Sequence, residues 1–218
     1  MLKWFCAGEG NRSDDRGKLS PDKREEKERK NMIEVLSELE SGILLFIQDY
    51  VRNPVFNPFF ITVTKLGNAG FIWVVLSVFL LIPRRTRRIG FMSILALLGS
   101  LLLNNLILKN LVERTRPYDI INQLEPLIQK QKDYSFPSGH TGSSFAAATV
   151  LYRNLPKKEG VWAMLLAALI GVSRLYVGVH YLSDVLFGMM TGIGVGYLAE
   201  KLVVWWSFNQ KKIRGGEI

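Results

Sequence analysis

Three short polar blocks interrupt the apolar segments of this chain, and they contain both of its histidines. The residues in them that could do chemistry are Lys109, Arg116, Ser138, Gly139, His140, Arg174, His180 and Asp184. A phosphate group is held by cations, which also stabilise the charge that spreads over its oxygens in the transition state of phosphoryl transfer. These residue types therefore predict a site that binds phosphate.

The cations of these blocks lie inside apolar segments or at their ends. Six residues separate Lys109 from Arg116, and Arg174 ends a later apolar run. A charged side chain at membrane depth is costly, so its first interpretation is functional. The alternative is that Arg116, with the nearby Arg114, only reaches to the membrane interface and anchors its segment. The presence of the other two blocks favours phosphate binding.

The second block, Pro137–His140, precedes a segment of small and apolar residues that we predict to be a helix. The first turn of a helix has unpaired N–H groups and the positive end of the helix dipole, and both attract phosphate. Ser138 could donate its hydroxyl, and Gly139 would let the backbone approach the phosphate oxygens closely. An ordinary N-cap at Ser138 is the alternative, and it leaves only the Gly-His pair unexplained.

The third block pairs a histidine with a carboxylate. His180 and Asp184 are four residues apart, which places them on one face if they share a helix. A carboxylate bonded to one ring nitrogen fixes the tautomer and leaves the other nitrogen free to attack phosphorus. We therefore predict that His180 is the nucleophile and that Asp184 orients it. His140 would protonate the leaving oxygen and later deprotonate the hydrolytic water.

A metal site is the rival use of two histidines and an aspartate. The three cations of the same blocks would repel a divalent ion from that pocket, so neither a metal nor a cofactor is predicted. Cys6 is the only cysteine, which excludes an intrachain disulfide and a cysteine-rich metal site.

Apolar residues make up 48% of the 218 residues and occur in blocks long enough to cross a bilayer. The net charge is +9, and the basic residues flank these blocks, where they set orientation and meet anionic lipid. The chain has no platform of interleaved aromatic and basic residues that would favour nucleic acid. We therefore predict an all-α integral membrane bundle of about six transmembrane helices, which contacts the bilayer and no nucleic acid.

Four parts are expected along the chain. Residues 1–31 are predicted to be a charged, disordered cytosolic tail, and residues 32–52 an amphipathic helix that leads into the membrane, with Glu40 between its apolar positions. Residues 53–207 would form the transmembrane domain, and residues 208–218 a basic cytosolic tail. The predicted spans are 69–83, 89–112, 139–152, 160–179 and 181–206, while it stays open whether 41–66 forms a full crossing.

Basic residues predict how these spans are oriented. They cluster in residues 84–88, 153–158 and 211–214, and the positive-inside rule makes these regions and both chain termini cytoplasmic. The loops that then face outward are 67–70, 113–138 and 174–184. All three polar blocks fall on this extracytoplasmic side.

The patterns Lys-x6-Arg-Pro, Pro-Ser-Gly-His and Ser-Arg-x5-His-x3-Asp resemble the three-part signature of the type 2 phosphatidic acid phosphatase family, which shares its site with vanadium haloperoxidases. The resemblance extends from Leu44 to Trp206. It implies a helical bundle and a metal-independent phosphatase that acts through a phosphohistidine. The roles it implies are His180 as nucleophile, Asp184 as its orienting partner, His140 as acid and base, and Lys109, Arg116, Ser138, Gly139 and Arg174 as ligands of the phosphoryl oxygens.

A site at the outer ends of the spans would lie near the lipid headgroups, where a lipid phosphate arrives by lateral diffusion. Similar bacterial proteins dephosphorylate undecaprenyl diphosphate, phosphatidylglycerophosphate or phosphatidic acid, and the sequence does not choose among these lipids. Two other functions could use the same residues: a vanadate-dependent haloperoxidase, and a transporter that binds lipid phosphates without cleaving them. Haloperoxidases are typically soluble and a transporter needs no nucleophile, so the sequence favours a phosphatase. The oligomeric state stays open.

Overall fold

The structure is a computed structural model, and it describes residues 21–215 of the chain. Within this part every regular element is a helix, which confirms the predicted all-α class. The chain divides into two compact units, Met1–Leu39 and Glu40–Ile218. All three polar blocks belong to the second unit.

The first helix, α1 (Pro21–Phe46), begins well before the residue at which the sequence predicted a helix. Residues 21–31 of the predicted tail belong to this helix, while residues 1–20 lie outside the described part. Glu, Lys and Arg dominate the first turns of α1, and these straight-chain residues lose little rotamer freedom in a helix. α1 continues as a π-helical turn, Ile47–Val51, so the helix ends where the sequence predicted.

A broken helix follows. α2 (Phe56–Leu66) and α3 (Phe71–Leu81) are bent by 54° where the turn Asn68–Gly70 joins them. Ala69 and Gly70 have positive φ angles of 49° and 67°, a backbone conformation that glycine adopts without a steric penalty. The structure thus has a turn at the position predicted from the sequence.

The helical segment that carries the first polar block changes its geometry before it ends. α4 (Arg87–Ser100) continues into a π-helical stretch, Leu101–Leu108, and then into α5 (Lys109–Val112). π-helical stretches are rare and frequently occur at functional sites. Glu113, with a φ of 51°, ends the segment, and α6 (Pro117–Ile120) and an irregular loop lead to the second block.

Three long helices complete the bundle: α7 (Gly139–Asn154), α8 (Lys157–Tyr176) and α9 (Leu182–Gly215). α7 is the central helix, because nearly all its side chains from Thr141 to Leu151 are buried by α4, α8 and α9. Small residues dominate this stretch, and they allow the neighbouring backbones to approach closely.

Most of the basic C-terminal tail predicted for residues 208–218 is helical. α9 continues to Gly215, and residues 216–218 lie outside the described part. Lys and Gln in this stretch favour a helix. The helix therefore continues past the point at which its residues change from apolar to basic.

Three helical segments in the described residues are long and apolar enough to cross a membrane: Arg87–Ile120, Lys157–Tyr176 and Leu182–Gln210. The bent pair formed by α2 and α3 could supply a fourth crossing. α7 has 16 residues, and its length of about 24 Å at 1.5 Å per residue is less than the hydrocarbon thickness of a bilayer, about 30 Å. Six crossings are therefore not confirmed, although the apolar helices agree with a membrane protein.

Candidate active site

A cavity of about 420 Å³ lies where the three polar blocks meet. Its walls come from the turn between α2 and α3, the π-helical stretch after α4, the start of α7 and the end of α8. Six of the eight predicted site residues line it: Lys109, Arg116, Gly139, His140, Arg174 and His180. The other two, Ser138 and Asp184, are fully buried, and the Ser138 N–H donates to the Asp184 carbonyl at 3.0 Å.

The two arginines of the cavity are buried cations with acceptors on several segments. Arg116 donates from Nη1 to the carbonyl of Val179 and from Nε to the carbonyl of Asp133, both at 2.9 Å. Arg174 is 1% exposed and donates from Nη1 to Thr64 Oγ1 at 2.6 Å. The Nε of Arg174 is buried and has no acceptor among the described residues. A buried donor without a partner is costly, so this nitrogen is suited to an anion in the cavity.

A carboxylate that the sequence did not predict forms ion pairs with two of the three predicted cations. Asp133, in the loop before α7, pairs with Lys109 and accepts from Arg116 Nη2 at 2.6 Å. Partial burial alone would raise the pKa of Asp133, but its contacts with Lys109 and Arg116 lower that pKa to about 2. The ionised carboxylate thus contacts two of the three cations in the way that phosphate oxygens would.

The start of α7 forms one wall of the cavity. Ser138 is the N-cap of this helix, and its Oγ accepts from the N–H of Thr141 at 3.4 Å and from the Thr141 hydroxyl at 2.9 Å. The N-cap interpretation of Ser138 therefore describes its contacts in the structure. Gly139 faces Asn105 so closely that a Cβ at this position would collide with the Asn105 amide. This contact explains in steric terms why glycine stands there.

His180 lies in the loop between α8 and α9 and is 1% exposed. Its Nδ1 is 3.4 Å from Asp184 Oδ2, and its Nε2 is 3.4 Å from Nη1 of Arg116, which lines the cavity together with His180. Burial lowers the pKa of His180, so the imidazole is neutral near pH 7. A neutral ring whose Nδ1–H faces the aspartate has its free electron pair on Nε2, where it can attack an electrophile in the cavity.

Asp184 has three hydrogen-bond donors in addition to His180, the partner that the sequence predicted. Its Oδ2 accepts from the Ser135 hydroxyl at 2.5 Å and from the Tyr181 N–H at 2.9 Å. Its Oδ1 accepts from Arg114 Nη1 at 2.7 Å. The carboxylate therefore has little freedom to turn away from His180.

The second histidine approaches the cavity from the first turn of α7. The Nε2 of His140 is 2.9 Å from Asn68 Oδ1, in the turn between α2 and α3. The broken helix thus contributes a polar partner that can fix the orientation of the imidazole. His140 and His180 line the same cavity, so two imidazoles face one substrate volume.

Sequence reasoning missed four residues of this network: Glu40, Arg114, Asp133 and Ser135. Arg114 was named only in the less favoured alternative of an interface anchor, and its guanidinium bonds to Asp184. Glu40 was assigned to the polar positions of an amphipathic helix, but it is 2% exposed. Its spacing of four residues from the buried Leu44 is the signal that could have identified it.

In the part of the chain whose side chains are described, no group of three His, Cys, Asp or Glu side chains is arranged to hold a metal ion. The carboxylate that lines the cavity, Asp133, forms ion pairs with Lys109 and Arg116 instead. The chemistry that these residues can perform is therefore anion binding, nucleophilic attack by an imidazole and proton transfer by a second imidazole.

Comparison with known proteins identifies the class to which this fold and site belong. Residues 90–212 match the PAP2 superfamily, and this stretch covers more than half of the chain. It contains all three polar blocks. The chain therefore belongs to the PAP2 superfamily, a family that includes phosphatases of membrane lipids.

Particular relatives agree with this assignment. The chain is 29% identical over 154 residues to the undecaprenyl-diphosphatase of Sulfolobus acidocaldarius, which covers 71% of this chain and 74% of the relative. It is 31% identical over 163 residues to phosphatidylglycerophosphatase B of Bacillus subtilis, which covers 69% of this chain and 76% of the relative. The crystal structure of Aquifex aeolicus LpxE superposes with a TM-score of 0.66 at 31% identity, over 73% of this chain and 93% of that one.

Proposed function

We propose that this protein is a metal-independent membrane phosphatase that hydrolyses a lipid phosphate or diphosphate through a phosphohistidine at His180. One observation supports this proposal most strongly: a single cavity combines buried cations and two imidazoles with an apolar wall. The cations suit the phosphate, and the apolar wall suits the part of a lipid next to it.

The predicted residues that line the cavity each have a role in the proposed reaction. Lys109, Arg116 and Arg174 hold the phosphoryl oxygens, together with the first turn of α7. The Nε2 of His180 attacks phosphorus, so a P–N bond forms while the P–O bond to the leaving group breaks. His140 gives its proton to the leaving oxygen, then takes a proton from the water that attacks the phosphohistidine. Hydrolysis restores the free histidine and releases inorganic phosphate.

The apolar part of the cavity supports a lipid as the substrate. It is lined by side chains of α3, α4 and the π-helical stretch: Val74, Ile94, Leu97, Leu98 and Leu101. Leu98 and Leu101 are also 57% and 49% exposed. A chain attached to the phosphate could therefore pass between these residues and remain in the bilayer.

We propose six crossings, with boundaries that differ from those expected from the sequence alone. Residues 32–51 would form the first crossing, and the bent pair of α2 and α3 the second. The other four would be α4 with its continuation to α5, then α7, α8 and α9. The short α7 would cross where its neighbours α4, α8 and α9 enclose it, so that little of it meets lipid. With the basic residues of 84–88 in the cytoplasm, both termini are cytoplasmic and the cavity opens at the extracytoplasmic side.

The test is a phosphate-release assay in detergent with a chelator present, comparing undecaprenyl diphosphate, phosphatidylglycerophosphate, phosphatidic acid and a soluble phosphate monoester. The first two substrates are chosen because the names of the relatives include them. We expect release from at least one lipid, with a much higher kcat/KM than for the soluble ester. Loss of activity with the chelator and its recovery with a divalent metal would contradict the mechanism. Equal rates for the soluble ester would contradict the lipid assignment.

A further inference from the structure

The carboxylate of Glu40 is buried although it lies near the end of a charged helix. Glu40 is 2% exposed, whereas the preceding acidic residue of α1, Glu38, is exposed. A buried carboxylate is costly unless it is paired and hydrogen-bonded. Glu40 meets both conditions: Oε2 accepts from Arg114 Nη2 at 2.6 Å, and Oε1 accepts from the Ser183 N–H at 2.7 Å.

Arg114 connects Glu40 to Asp184, the aspartate that contacts the proposed nucleophile His180. One end of its guanidinium pairs with Glu40, while Nη1 donates to Asp184 Oδ1 and to the Ser183 hydroxyl, both at 2.7 Å. The guanidinium also lies over the ring of Tyr181, 3.9 Å from its centroid. A planar guanidinium held at both ends has a fixed direction, so it presents a donor to Asp184 in one orientation.

Glu40 and Arg114 both form hydrogen bonds to the first turn of α9. The Ser183 N–H, bonded to Glu40, is one of the first N–H groups of that helix and has no partner within it. Asp184 follows directly and faces Nδ1 of His180. Glu40 therefore holds both the backbone just before Asp184 and the guanidinium that bonds to the Asp184 side chain.

We propose that Glu40 is a positioning residue for His180, which it orients through Arg114, Ser183 and Asp184. This inference rests on the proposed function, in which His180 is the nucleophile. Glu40 does not line the cavity, so it affects the attack on phosphorus and not the binding of phosphate. It also shares the positive charge of Arg114 with Asp184, which leaves Asp184 more negative charge with which to orient the imidazole.

The test compares Glu40→Gln with Glu38→Gln in the full-length protein. Glutamine keeps the shape of Glu40 and one acceptor oxygen but loses the charge that pairs with Arg114. We expect Glu40→Gln to lower kcat about ten- to hundredfold. Losses of this size are typical when a residue that orients a metal ligand by hydrogen bonding is removed, and Glu40 would orient His180 in a comparable way. KM and the inhibition constant of vanadate should stay within about twofold, because Lys109, Arg116 and Arg174 are untouched. Glu38→Gln should keep the full rate.

Two further variants separate positioning from folding. Glu40→Asp keeps a carboxylate, so it should recover part of the lost kcat. Arg114→Met should lower kcat as well, and the double variant should be little worse than either single one, because both act through one network. The melting temperature of Glu40→Gln in detergent should stay close to that of the unmodified protein, whereas Arg114→Met leaves two buried carboxylates without their cation and should melt at a lower temperature.

Each remaining outcome counts against one proposal or both. A full rate for Glu40→Gln, with active unmodified protein, overturns the positioning role alone. A parallel loss of kcat, vanadate affinity and melting temperature shows that Glu40 is only structural, and it overturns that role too. Unmodified protein that hydrolyses no lipid phosphate overturns the proposed function together with this inference.

Discussion

Asp133 contacts two of the cations that the proposed reaction needs for the substrate. Its carboxylate pairs with Lys109 and Arg116, which both line the cavity. A phosphate group that binds there must replace these contacts, so Asp133 and the substrate compete for the same donors. The side chain is 52% exposed and lies on a loop, so it can swing out at small cost.

We expect Asp133→Asn to strengthen the binding of phosphate and of vanadate. The neutral amide competes less well for Lys109 and Arg116, and it does not repel the anion. For a half-exposed carboxylate the competitive inhibition constants should fall about three- to tenfold. Asp119→Asn is the matched control, because Asp119 pairs with Lys130 at 3.2 Å and does not line the cavity. Weaker inhibition in Asp133→Asn would instead show that Asp133 organises the cations.

The low pKa of Asp133 determines how this effect depends on pH. A carboxylate whose folded pKa is about 2 keeps its ion pairs at neutral and mildly acidic pH and loses them as the pH falls toward that value. The ratio of inhibition constants between Asp133→Asn and the unmodified protein should therefore be the same at about pH 5 and about pH 8. Inhibition constants measured at both pH values test this. A ratio that approaches one at pH 5 would contradict a low pKa.

At the scale of helices, α9 packs its glycines against the backbone of α7. Ideal Cβ atoms at Gly188 and Gly196 would lie 2.7 Å from the Ser138 carbonyl oxygen and 2.5 Å from that of Ala146. At Gly192 a Cβ would collide with the Gly142 carbonyl and come within 2.9 Å of Phe145 Cβ. These glycines recur every four residues, so they form one face along which the two helices touch.

We expect Gly192→Ala to destabilise the protein, because the new methyl group has no room against α7. Overpacking of this kind costs about 1–3 kcal/mol. Gly194→Ala is the matched control on the same helix, since a Cβ there meets no atom within 4 Å. Thermal unfolding in detergent should show a lower melting temperature for Gly192→Ala and an unchanged or slightly higher one for Gly194→Ala. Equal melting temperatures would contradict the close packing.

The sequence predicted which side chains come together better than the limits of the helices that hold them. Motif spacing and residue chemistry predicted one site for His180, His140 and the cations, and in the structure these residues line one cavity. The start of α1 was missed because charged, helix-forming residues resemble a disordered tail in composition. Glu40 and Asp133 were missed because their partners lie far away in the sequence, at Arg114 and Lys109.

For the whole molecule, the basic residues between the helices determine the proposed orientation in the membrane. Residues 84–88, which comprise the end of the loop between α3 and α4 and the start of α4, contain four arginines, whereas the loop between α6 and α7 holds both acidic and basic residues near the cavity. The positive-inside rule places the arginine-rich loop in the cytoplasm. In this proposed orientation the cavity would receive its lipid from the outer leaflet.

Labelling of introduced cysteines should test this orientation. After Cys6→Ser removes the only native cysteine, Gln123→Cys and Arg85→Cys each supply one exposed thiol, on the outward and the cytoplasmic loop respectively. A membrane-impermeant maleimide should label Gln123→Cys in intact cells and Arg85→Cys only after lysis. The reverse pattern would contradict the proposed membrane face of the site.

The role of His180 as nucleophile is tested most directly by the rate of phosphate release from a lipid phosphate by His180→Ala, measured with a chelator present. The account predicts that turnover falls at least about a thousandfold, because alanine removes the nitrogen that attacks phosphorus. The variant should still fold and bind vanadate, since the three cations remain in the cavity. Turnover within about tenfold of the unmodified protein, under the same conditions, would contradict the account.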